Sequence, residues 1–270
     1  MPGDDLSWKR TLGRVSFVNC DPVFYSLEEN WDLLPAPPAW LTGHLLRRDC
    51  LTAPIPTSDY ATHSDQLHLI PDLGIVSNGH VGSVLLFGRR PLESMRDIAL
   101  PSDSSTSKSL LKWILSQYSL DPRLVEMGPD METMLGSCDG ALLIGNRALS
   151  ASRANRALIQ LDLGAEWSKL TGLPMVFGVF AARRDTPIEL LREAHDDMVR
   201  QYNLFENNPD VRSAVIDEAS QITGFHRDRM ATYFDKEVSN LLDEKSIVGL
   251  NHFLDEACNL KGETTWFRFD

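Results

Sequence analysis

The chain has 270 residues, which is enough for one large domain or two ordinary ones. Hydrophobic residues make up 43 % and charged residues 24 %, values near the globular average that exclude a disordered or fibrous protein. The 26 basic and 38 acidic side chains give a net charge of −12, which repels phosphate backbones, so we expect no nucleic-acid partner.

The first third of the chain is rich in short β-type runs that end at turn residues. The predicted strands cover 15–18, 51–55, 67–71, 73–77 and 83–87. Between the first two, Leu41, Leu45 and Leu46 share one face of a predicted helix over 41–48. Strands that alternate with helices in this way predict a mixed α/β sheet.

The rest of the chain changes from alternating to helical. A strand over 98–100 precedes an amphipathic helix whose apolar face includes Leu110, Ile114 and Tyr118 and whose N-cap falls at 104–106. Further strands are predicted over 140–144 and 175–182. Beyond them the predicted helices cover 188–206, 210–222, 227–234, 236–243 and 246–258.

This order of elements predicts two α/β lobes, with the last helices packed back on the first lobe. We place the two crossings between the lobes at 88–92 and 174–182, where turn residues flank the strands. The first lobe then comprises 1–88 and 182–270, and the second lobe comprises 89–181.

Small polar residues stand where several predicted strands end or a helix begins. Asn19 follows one strand, Thr57 and Ser58 follow another, 77–79 follows a third, and 104–107 opens a helix. Ligands of α/β sheets bind at strand carboxyl ends and helix N-termini, so these positions predict a shared cleft. Each position also has a purely structural interpretation, as a turn, a helix cap or a strand end, which the sequence leaves open.

The helix that opens near Thr106 is a predicted anion site. Its first turn presents unpaired backbone N–H groups, and the hydroxyls of 104–107 add further donors. Without a glycine-rich loop or a P-loop lysine, this arrangement suits a carboxylate better than a phosphate. We interpret Lys108 as a solvated helix charge rather than a ligand contact.

Other chemistries are not indicated by the sequence. The patterns GxGxxG, GxxxxGK[ST], HExxH and GxSxG are absent, and the four widely spaced cysteines predict neither a zinc site nor a disulfide framework. Asp21 and Asp59 are interpreted as local hydrogen-bond acceptors, and His80 is the one histidine beside the expected cleft. The start of the chain lacks a secretory signal, and no apolar run reaches the ~20 residues of a membrane helix. We therefore expect a cytoplasmic protein with no membrane partner.

Seven short blocks follow one another along most of the chain. They are RVSFVN at 14–19, APIPTSDYA at 53–61, IVSNGHVGSV at 75–84, STS at 105–107, ALLIGNRAL at 141–149, DLGAEW at 162–167 and TGLPMVF at 171–177. The first block resembles R-[IV]-x-[YFH]-[VIL]-N and the third resembles I-x-S-D-G-P-V-x-S-V. Together the blocks resemble the chorismate dehydratase family of menaquinone biosynthesis.

The resemblance implies a fold and a reaction. The implied fold is type 2 periplasmic-binding-protein-like, with two α/β lobes around an interlobe cleft. The implied reaction is a lyase reaction without cofactor or metal, the dehydration of chorismate to 3-[(1-carboxyvinyl)oxy]benzoate in the first step of the futalosine route. Two alternatives stay open: the related dihydroxynaphthoate synthase, whose opening is S-P-C-P-N-D, and a carboxylate-binding protein of this fold without catalysis.

On this basis we expect Asn19 and Ser83 to be catalytic. The expected substrate-binding residues are Thr57, Ser58, Ser77, Asn78, Gly79, Ser105, Thr106, Ser107, Gly145 and Asn146. The first helical turn at Thr106 would hold one carboxylate, and the substrate's own enolpyruvyl carboxylate would accept the proton. Asn78 and Asn146 stand where the family has Asp, which removes negative charge from the expected cleft.

Overall fold

The structure, a computed structural model, describes residues 7–269. Its strands are β1 (Thr11–Val15), β2 (Asp32–Ala36), β3 (Ala53–Pro56), β4 (Leu67–Ser77), β5 (Val84–Gly88), β6 (Asp97–Pro101), β7 (Arg123–Met127), β8 (Gly140–Ile144), β9 (Ile159–Asp162), β10 (Met175–Arg183) and β11 (Ser239–Leu241). Its α-helices are α1 (Asp21–Phe24), α2 (Pro38–Arg47), α3 (Thr57–Thr62), α4 (Ser105–Gln117), α5 (Met131–Ser137), α6 (Gly145–Ala154), α7 (Leu163–Thr171), α8 (Ile188–Asn207), α9 (Pro209–Thr223), α10 (Arg227–Thr232) and α11 (Glu244–Glu256). The alternation of strands and helices confirms the mixed α/β class.

The first sheet has the strand order β11-β4-β10-β3, with antiparallel pairing throughout. The parallel pair β1-β2 continues this sheet beyond β3. The backbone N–H of Gly13 donates to the carbonyl of Thr52, and the N–H of Leu51 donates to the carbonyl of Thr11, both at 2.8 Å. These bonds fix the position of β1, so that the turn after it lies at the edge of the candidate site.

The second sheet has the strand order β7-β6-β8-β5-β9. Strand β6 runs parallel to β7 and β8, whereas β5 runs antiparallel to β8 and β9. Helices α4 and α6 begin directly after β6 and β8, so both helices start at the carboxyl ends of their strands. This is where ligands bind in open α/β sheets.

Both predicted lobe crossings are wrong, because in the structure the chain crosses before β5 and again before β10. Strand β5, which we assigned to the first lobe, pairs with β8 and β9 in the second sheet. Strand β10, nearly all of which we assigned to the second lobe, pairs with β3 and β4 in the first sheet. The chain therefore crosses ahead of Val84, where Gly79 and Gly82 take φ values of 112° and 65°, and it crosses back ahead of Met175. The sequence pointed instead to Gly88, which is the last residue of β5, and to Pro91, which lies just beyond it.

Local predictions also differ from the structure in two places. The runs 67–71 and 73–77 form a single strand, β4, because Asp72, with a φ of 70°, lies where the pairing with β10 shifts register and its carbonyl still accepts the backbone N–H of Leu242 at 2.9 Å. The predicted helix over 236–243 is wrong. A π-turn over Tyr233–Glu237 leads there into β11, which adds an edge strand to β4.

One apolar cluster spans both sheets and fixes how they face each other. Trp167 of α7 is fully buried, and its ring lies 4.8 Å from that of Trp113 and 5.8 Å from that of Phe253. Its indole N–H donates to the carbonyl of Pro174 at 3.1 Å. A second, smaller cluster covers the opposite face of the second sheet, between that sheet and α5 and α6. The second sheet is therefore buried on both faces, as is typical of α/β folds.

Candidate active site

A narrow pocket lies between the two sheets. The space between its walls, measured out to its mouth, is about 550 Å³. Its apolar walls come from both sheets and are formed by Val15, Phe17, Pro38, Pro54, Ile55, Pro56, Ile75, Val81, Val84, Ile144, Phe177 and Val238. Its polar side chains are those of Asn19, Ser83, Ser104, Thr106 and Ser107, and the backbone of Gly145 completes one side. None of the described residues that line this pocket carries a charged side chain.

Asn19 lies in the 3-10 turn Val18–Cys20 that follows β1. Its side-chain oxygen Oδ1 is buried and has no hydrogen-bond partner within residues 7–269. A buried acceptor without a donor costs about 1–3 kcal/mol, so the position indicates that a ligand supplies the donor. The turn is held across the pocket by the backbone N–H of Val18, which donates to Asn146 Oδ1 at 3.2 Å.

Ser83 stands just before β5, with its hydroxyl in a buried pair. Ser83 Oγ donates to the carbonyl of Val81 at 3.3 Å and lies 3.0 Å from the hydroxyl of Tyr233. Burial raises the pKa of Tyr233, so its phenol stays protonated and can donate to Ser83. With Tyr233 as the donor, the single proton of the Ser83 hydroxyl is directed to the carbonyl of Val81.

Two helices point their N-termini at the pocket, and neither is capped by a described side chain. Helix α4 begins after Ser104, and α6 begins after Ile144. By contrast, α5 and α7 in the same part of the chain are capped by the carboxylates of Asp130 and Asp162. An uncapped first turn offers free N–H donors and about half a positive charge to a ligand. The pocket can therefore attract an anion without a basic side chain.

Gly145 is the residue that brings the start of α6 close to the first sheet. Its φ is 57°, and its backbone N–H donates to the carbonyl of Ser83 at 2.7 Å. A Cβ at this position would lie 2.4 Å from the ring of Phe17, which therefore rests directly on the helix start. Arg147, which forms an ion pair with Asp103, places its guanidinium 6.0 Å from the other side of that ring. Only glycine allows this approach without strain.

The structure brings together Asn19, Ser83, Thr106, Ser107 and Gly145 as the sequence predicts. Thr106 also joins the two sheets, because its Oγ1 accepts from the backbone N–H of Ser58 at 3.2 Å. Ser58 contacts this binding wall from behind and does not line the pocket itself. Ser104 lines the pocket as well, with its hydroxyl bonded to that of Ser107.

Other predicted site residues lie outside the pocket. Thr57 is buried, and its hydroxyl donates to the carbonyl of Val176 at 2.7 Å. Ser77 donates to the carbonyl of Gly79 at 3.4 Å, while Asn78 is exposed beside a separate surface groove. Ser105 also lines a separate depression, on the outer side of α3 and α4. Gly79, Ser58 and Asn146 are likewise absent from the pocket lining. A substrate contact at any of these residues stays a prediction.

The charged residues near the site serve as local supports. Burial raises the pKa of Asp21 to about 6, although Arg14, 2.6 Å away, opposes the rise. This ion pair lies on either side of the Asn19 turn. Asp59 accepts from the hydroxyl of Thr42 at 2.6 Å, as expected for a local acceptor. His80 is exposed, 3.6 Å from Asp162, and does not line the pocket.

Sequence reasoning missed Tyr233 and the aromatic walls Phe17 and Phe177. Phe17 and Phe177 fall within or beside predicted strands, where a buried aromatic side chain is equally typical of an ordinary core. Tyr233 lies 150 positions from its partner Ser83, in a segment predicted to be helical. The short blocks around these residues gave no signal that the three side chains share one pocket.

Comparison with known proteins places these observations in a family. A family model described as menaquinone biosynthesis matches residues 10–259. A curated chorismate dehydratase of Thermus thermophilus is 33 % identical over 204 residues, which cover 68 % of this chain and 75 % of the relative.

Solved structures with low sequence identity share the architecture. Protein AF1704 of Archaeoglobus fulgidus has a TM-score of 0.70 at 19 % identity, covering 93 % of this chain and 97 % of its own. The periplasmic aliphatic sulphonate binding protein SsuA of Escherichia coli has a TM-score of 0.62 at 13 % identity, covering 96 % and 94 %. The periplasmic-binding-protein-like fold expected from the sequence is confirmed. Among residues 7–269, no helix combines the length and the apolar character needed to cross a membrane.

Proposed function

Because the chain belongs to the menaquinone biosynthesis family, we propose that it is a chorismate dehydratase, a lyase that removes water from chorismate to give 3-[(1-carboxyvinyl)oxy]benzoate. This is the first step of the futalosine route. The observation that carries the proposal is the pocket itself, in which two uncapped helix N-termini and uncharged donors face an apolar slot.

The substrate explains why such a pocket is sufficient. Chorismate is a flat cyclohexadiene with a ring carboxylate, a C4 hydroxyl and an enolpyruvyl ether at C3 that carries a second carboxylate. The C3 proton is acidified through the ring alkene by the ring carboxylate. Loss of this proton gives an extended enolate, and departure of the C4 hydroxyl as water makes the ring aromatic. Aromatisation drives the reaction, so the protein has to bind, orient and stabilise charge.

The two carboxylates of the substrate match the two uncapped helices. The first turn of α4, with the hydroxyls of Thr106 and Ser107, provides donors for one carboxylate. The first turn of α6 provides donors for the other through the backbone N–H groups beyond Gly145, whose own N–H is bonded to the carbonyl of Ser83. Negative charge that gathers on the ring carboxylate in the transition state would be stabilised there by fixed dipoles, which need no reorganisation during the reaction.

Asn19 and Ser83 are assigned to the reacting centre. The unpartnered Oδ1 of Asn19 accepts a hydrogen bond from the C4 hydroxyl and thereby positions it for departure. An amide is too weak a base to take the C3 proton, so the enolpyruvyl carboxylate of the substrate accepts it and passes it to the C4 hydroxyl, which then leaves as water. Ser83, which accepts from Tyr233, transfers its single hydrogen bond from the carbonyl of Val81 to the developing enolate.

The apolar walls complete the site. Phe17 and Phe177 contribute aromatic surface against which a flat ring can pack. The slot leaves little room for solvent, which strengthens every hydrogen bond to the substrate and limits competing reactions of the enolate. Proline and branched side chains around the slot keep its shape rigid.

The proposal includes a cytoplasmic location, where a biosynthetic enzyme meets its substrate. The four cysteines support this location, because all of them are free thiols, and three are buried. Persistent disulfides are typical of oxidising compartments, whereas free thiols are typical of reducing ones.

Incubation of the purified protein with chorismate tests the proposal. We expect the diene absorbance to be replaced by that of a substituted benzoate, and the product mass to fall by one water relative to chorismate. The Asn19→Ala variant is the control for contaminating activity. Binding of chorismate without turnover would instead identify a binding protein of this fold. Turnover of cyclic dehypoxanthine futalosine, with chorismate left unchanged, would identify the dihydroxynaphthoate synthase.

A further inference from the structure

A second depression lies on the opposite side of the segment that carries Ser83. We call it the rear groove, and its key residues are His80, Gly82, Arg153, Arg156, Phe225 and Arg229. It encloses about 1370 Å³ out to its mouth and is bounded by the end of α6, by β9 and by the α9–α10 region. The proposed dehydration uses none of these six residues.

The rear groove concentrates positive charge in a chain whose net charge is −12. Arg153 donates to the carbonyl of Gly224 at 2.5 Å, a bond that leaves its charge uncompensated. The side chain of Arg156, which lines the groove, has neither a hydrogen bond nor an ion pair in the part of the chain that the structure describes. Arg229 pairs with Glu237 at 2.8 Å, but its Nη1 is buried and lacks a hydrogen-bond partner among residues 7–269. The groove therefore offers unused donors to an anion.

The acidic groups of the groove do not cancel this charge. Glu237 is occupied by Arg229. The carboxylate of Asp162 accepts from the backbone N–H groups of Val81 and Gly82, at 3.1 and 2.8 Å, and from that of Ala165 at 3.0 Å. These bonds fix the carboxylate but leave its charge in place, so the three arginines and two carboxylates that line the groove leave an excess of one positive charge.

The floor of the groove is apolar and partly aromatic. Leu85, Ile159 and Leu161 contribute aliphatic surface. The guanidinium groups of Arg153 and Arg229 each lie 5.8 Å from the ring of Phe225. Planar guanidinium groups bind carboxylates in bidentate fashion, and an aromatic platform favours a ligand with a ring. A bare inorganic anion would use only the rim of such a site.

The rear groove and the pocket share one thin wall. Val81 and Ser83 line the pocket, whereas His80 and Gly82 line the groove. A Cβ at Gly82 would lie 2.1 Å from Glu237 Oε2, so the Arg229–Glu237 pair rests directly on the backbone beside Ser83. A ligand that draws Arg229 away from Glu237 would change the packing behind Ser83.

The geometry points to a second binding site, in which the rear groove takes a small aromatic carboxylate through Arg153, Arg156 and Arg229, and is coupled to the pocket through Gly82 and Ser83. This site lies outside the proposed active site, and its occupancy can be measured without any turnover of chorismate.

Calorimetric titration with 3-hydroxybenzoate tests the site. We expect saturable binding to the wild-type protein, and binding weakened about tenfold or more in the double variant Arg153→Gln/Arg156→Gln, because two charged donors are lost. The control double variant Arg89→Gln/Lys112→Gln removes the same charge from two exposed positions outside the groove and should bind as the wild type does. The Thr106→Val variant, altered only in the pocket, should also retain the binding.

Coupling has its own measurement. Saturating 3-hydroxybenzoate should change the KM or kcat for chorismate severalfold in the wild-type protein, and this effect should disappear in Arg153→Gln/Arg156→Gln. Three results would overturn the proposal: no saturation up to about 10 mM, inorganic phosphate binding as tightly as the aromatic probe, or binding that is lost in Thr106→Val but kept in the arginine variant. Failure of chorismate turnover in every protein would instead contradict the proposed dehydration and leave the calorimetric result standing.

Discussion

The carboxylate of Asp162 accepts the backbone N–H of Gly82 at 2.8 Å, which ties together the two points where the chain crosses between the sheets. The same carboxylate caps α7 by accepting the backbone N–H of Ala165, so one side chain stabilises both a helix start and the crossing at Gly82. We expect Asp162→Ala to lower the free energy of unfolding by about 2–4 kcal/mol, since three N–H groups lose their acceptor.

Asp130→Ala is the matched control, because Asp130 caps α5 at the surface and holds only the N–H of Thr133. This variant should lose about 1 kcal/mol. Denaturant titration of both variants measures the difference. Equal losses would mean that the contact with Gly82 contributes nothing to stability.

Removal of the Asn19 amide should impair the reaction far more than binding. In Asn19→Ala we expect kcat for chorismate to fall about 10²–10³-fold, the usual effect of losing one preorganised polar group at a reacting centre. KM should change little. Asn78→Ala is the control, since Asn78 is exposed at a different groove and should behave as the wild type does. An equal change in kcat and KM for Asn19→Ala would refute its catalytic assignment.

Substitution of Thr106 should affect substrate binding, whereas substitution of Thr57 should affect stability. Thr106→Val should raise KM for chorismate about tenfold, because a hydroxyl that lines the pocket at the start of α4 is lost. Thr57→Val should lower the free energy of unfolding by about 1–3 kcal/mol and leave KM unchanged, because its hydroxyl serves the carbonyl of Val176. A raised KM in Thr57→Val would restore Thr57 to the binding site.

Gly172 and Gly145 both have a positive φ, but of the two only Gly145 lies close to a neighbouring side chain. Gly172→Ala meets none of the described atoms within 4 Å and should cost only about 1 kcal/mol of unfolding free energy. Gly145→Ala places a methyl group against Phe17 and should lower both stability and kcat. Denaturant titration and initial rates compare the variants. If Gly145→Ala kept full activity, Phe17 would not be set by this contact.

Asp21 makes stability depend on pH in a defined window. Its folded-state pKa, about 6, is raised above the ordinary value, so its contribution to stability is fully present in acid and is lost as pH rises through about 4 to 6. The unfolding free energy of the wild type, relative to Asp21→Asn, should therefore decline across this window. Denaturant titrations of both proteins across the window measure this decline. A difference that does not vary with pH would mean that Asp21 titrates normally.

Much of the fold was predictable because its signals are local. The apolar runs at 83–87, 140–144 and 175–182 are strands in the structure, and the amphipathic helix after Ser104 is α4. The errors come from context. Asp72 was read as a break, yet tertiary pairing keeps it within β4. The segment 236–243 was read as a helix because its composition does not reveal that β4 has a free edge for β11 to cover.

The residues of the candidate site also divide into those with a signal in the sequence and those whose role depends on tertiary contacts. Asn19, Thr106 and Ser107 were recognisable because each stands where a strand ends or a helix begins, whereas Ser83 and Gly145 were expected from the family resemblance. The turn at 77–79 carries the same kind of signal but faces another groove, because the positive φ values of Gly79 and Gly82 redirect the chain. Tyr233 was not predictable, since its role depends on a contact across 150 positions.

The pairing of β5 with β9 has a consequence for how such a protein can diversify. In chain order these are the first and last strands of the second sheet, and Leu86 lies opposite Leu161. The segment that forms the second sheet therefore leaves the first sheet and returns to it at neighbouring points. A module whose two ends are neighbours can be exchanged as one cassette while the acceptor keeps its own termini and core. Recombination at the two crossings would place different helix N-termini opposite an unchanged Asn19.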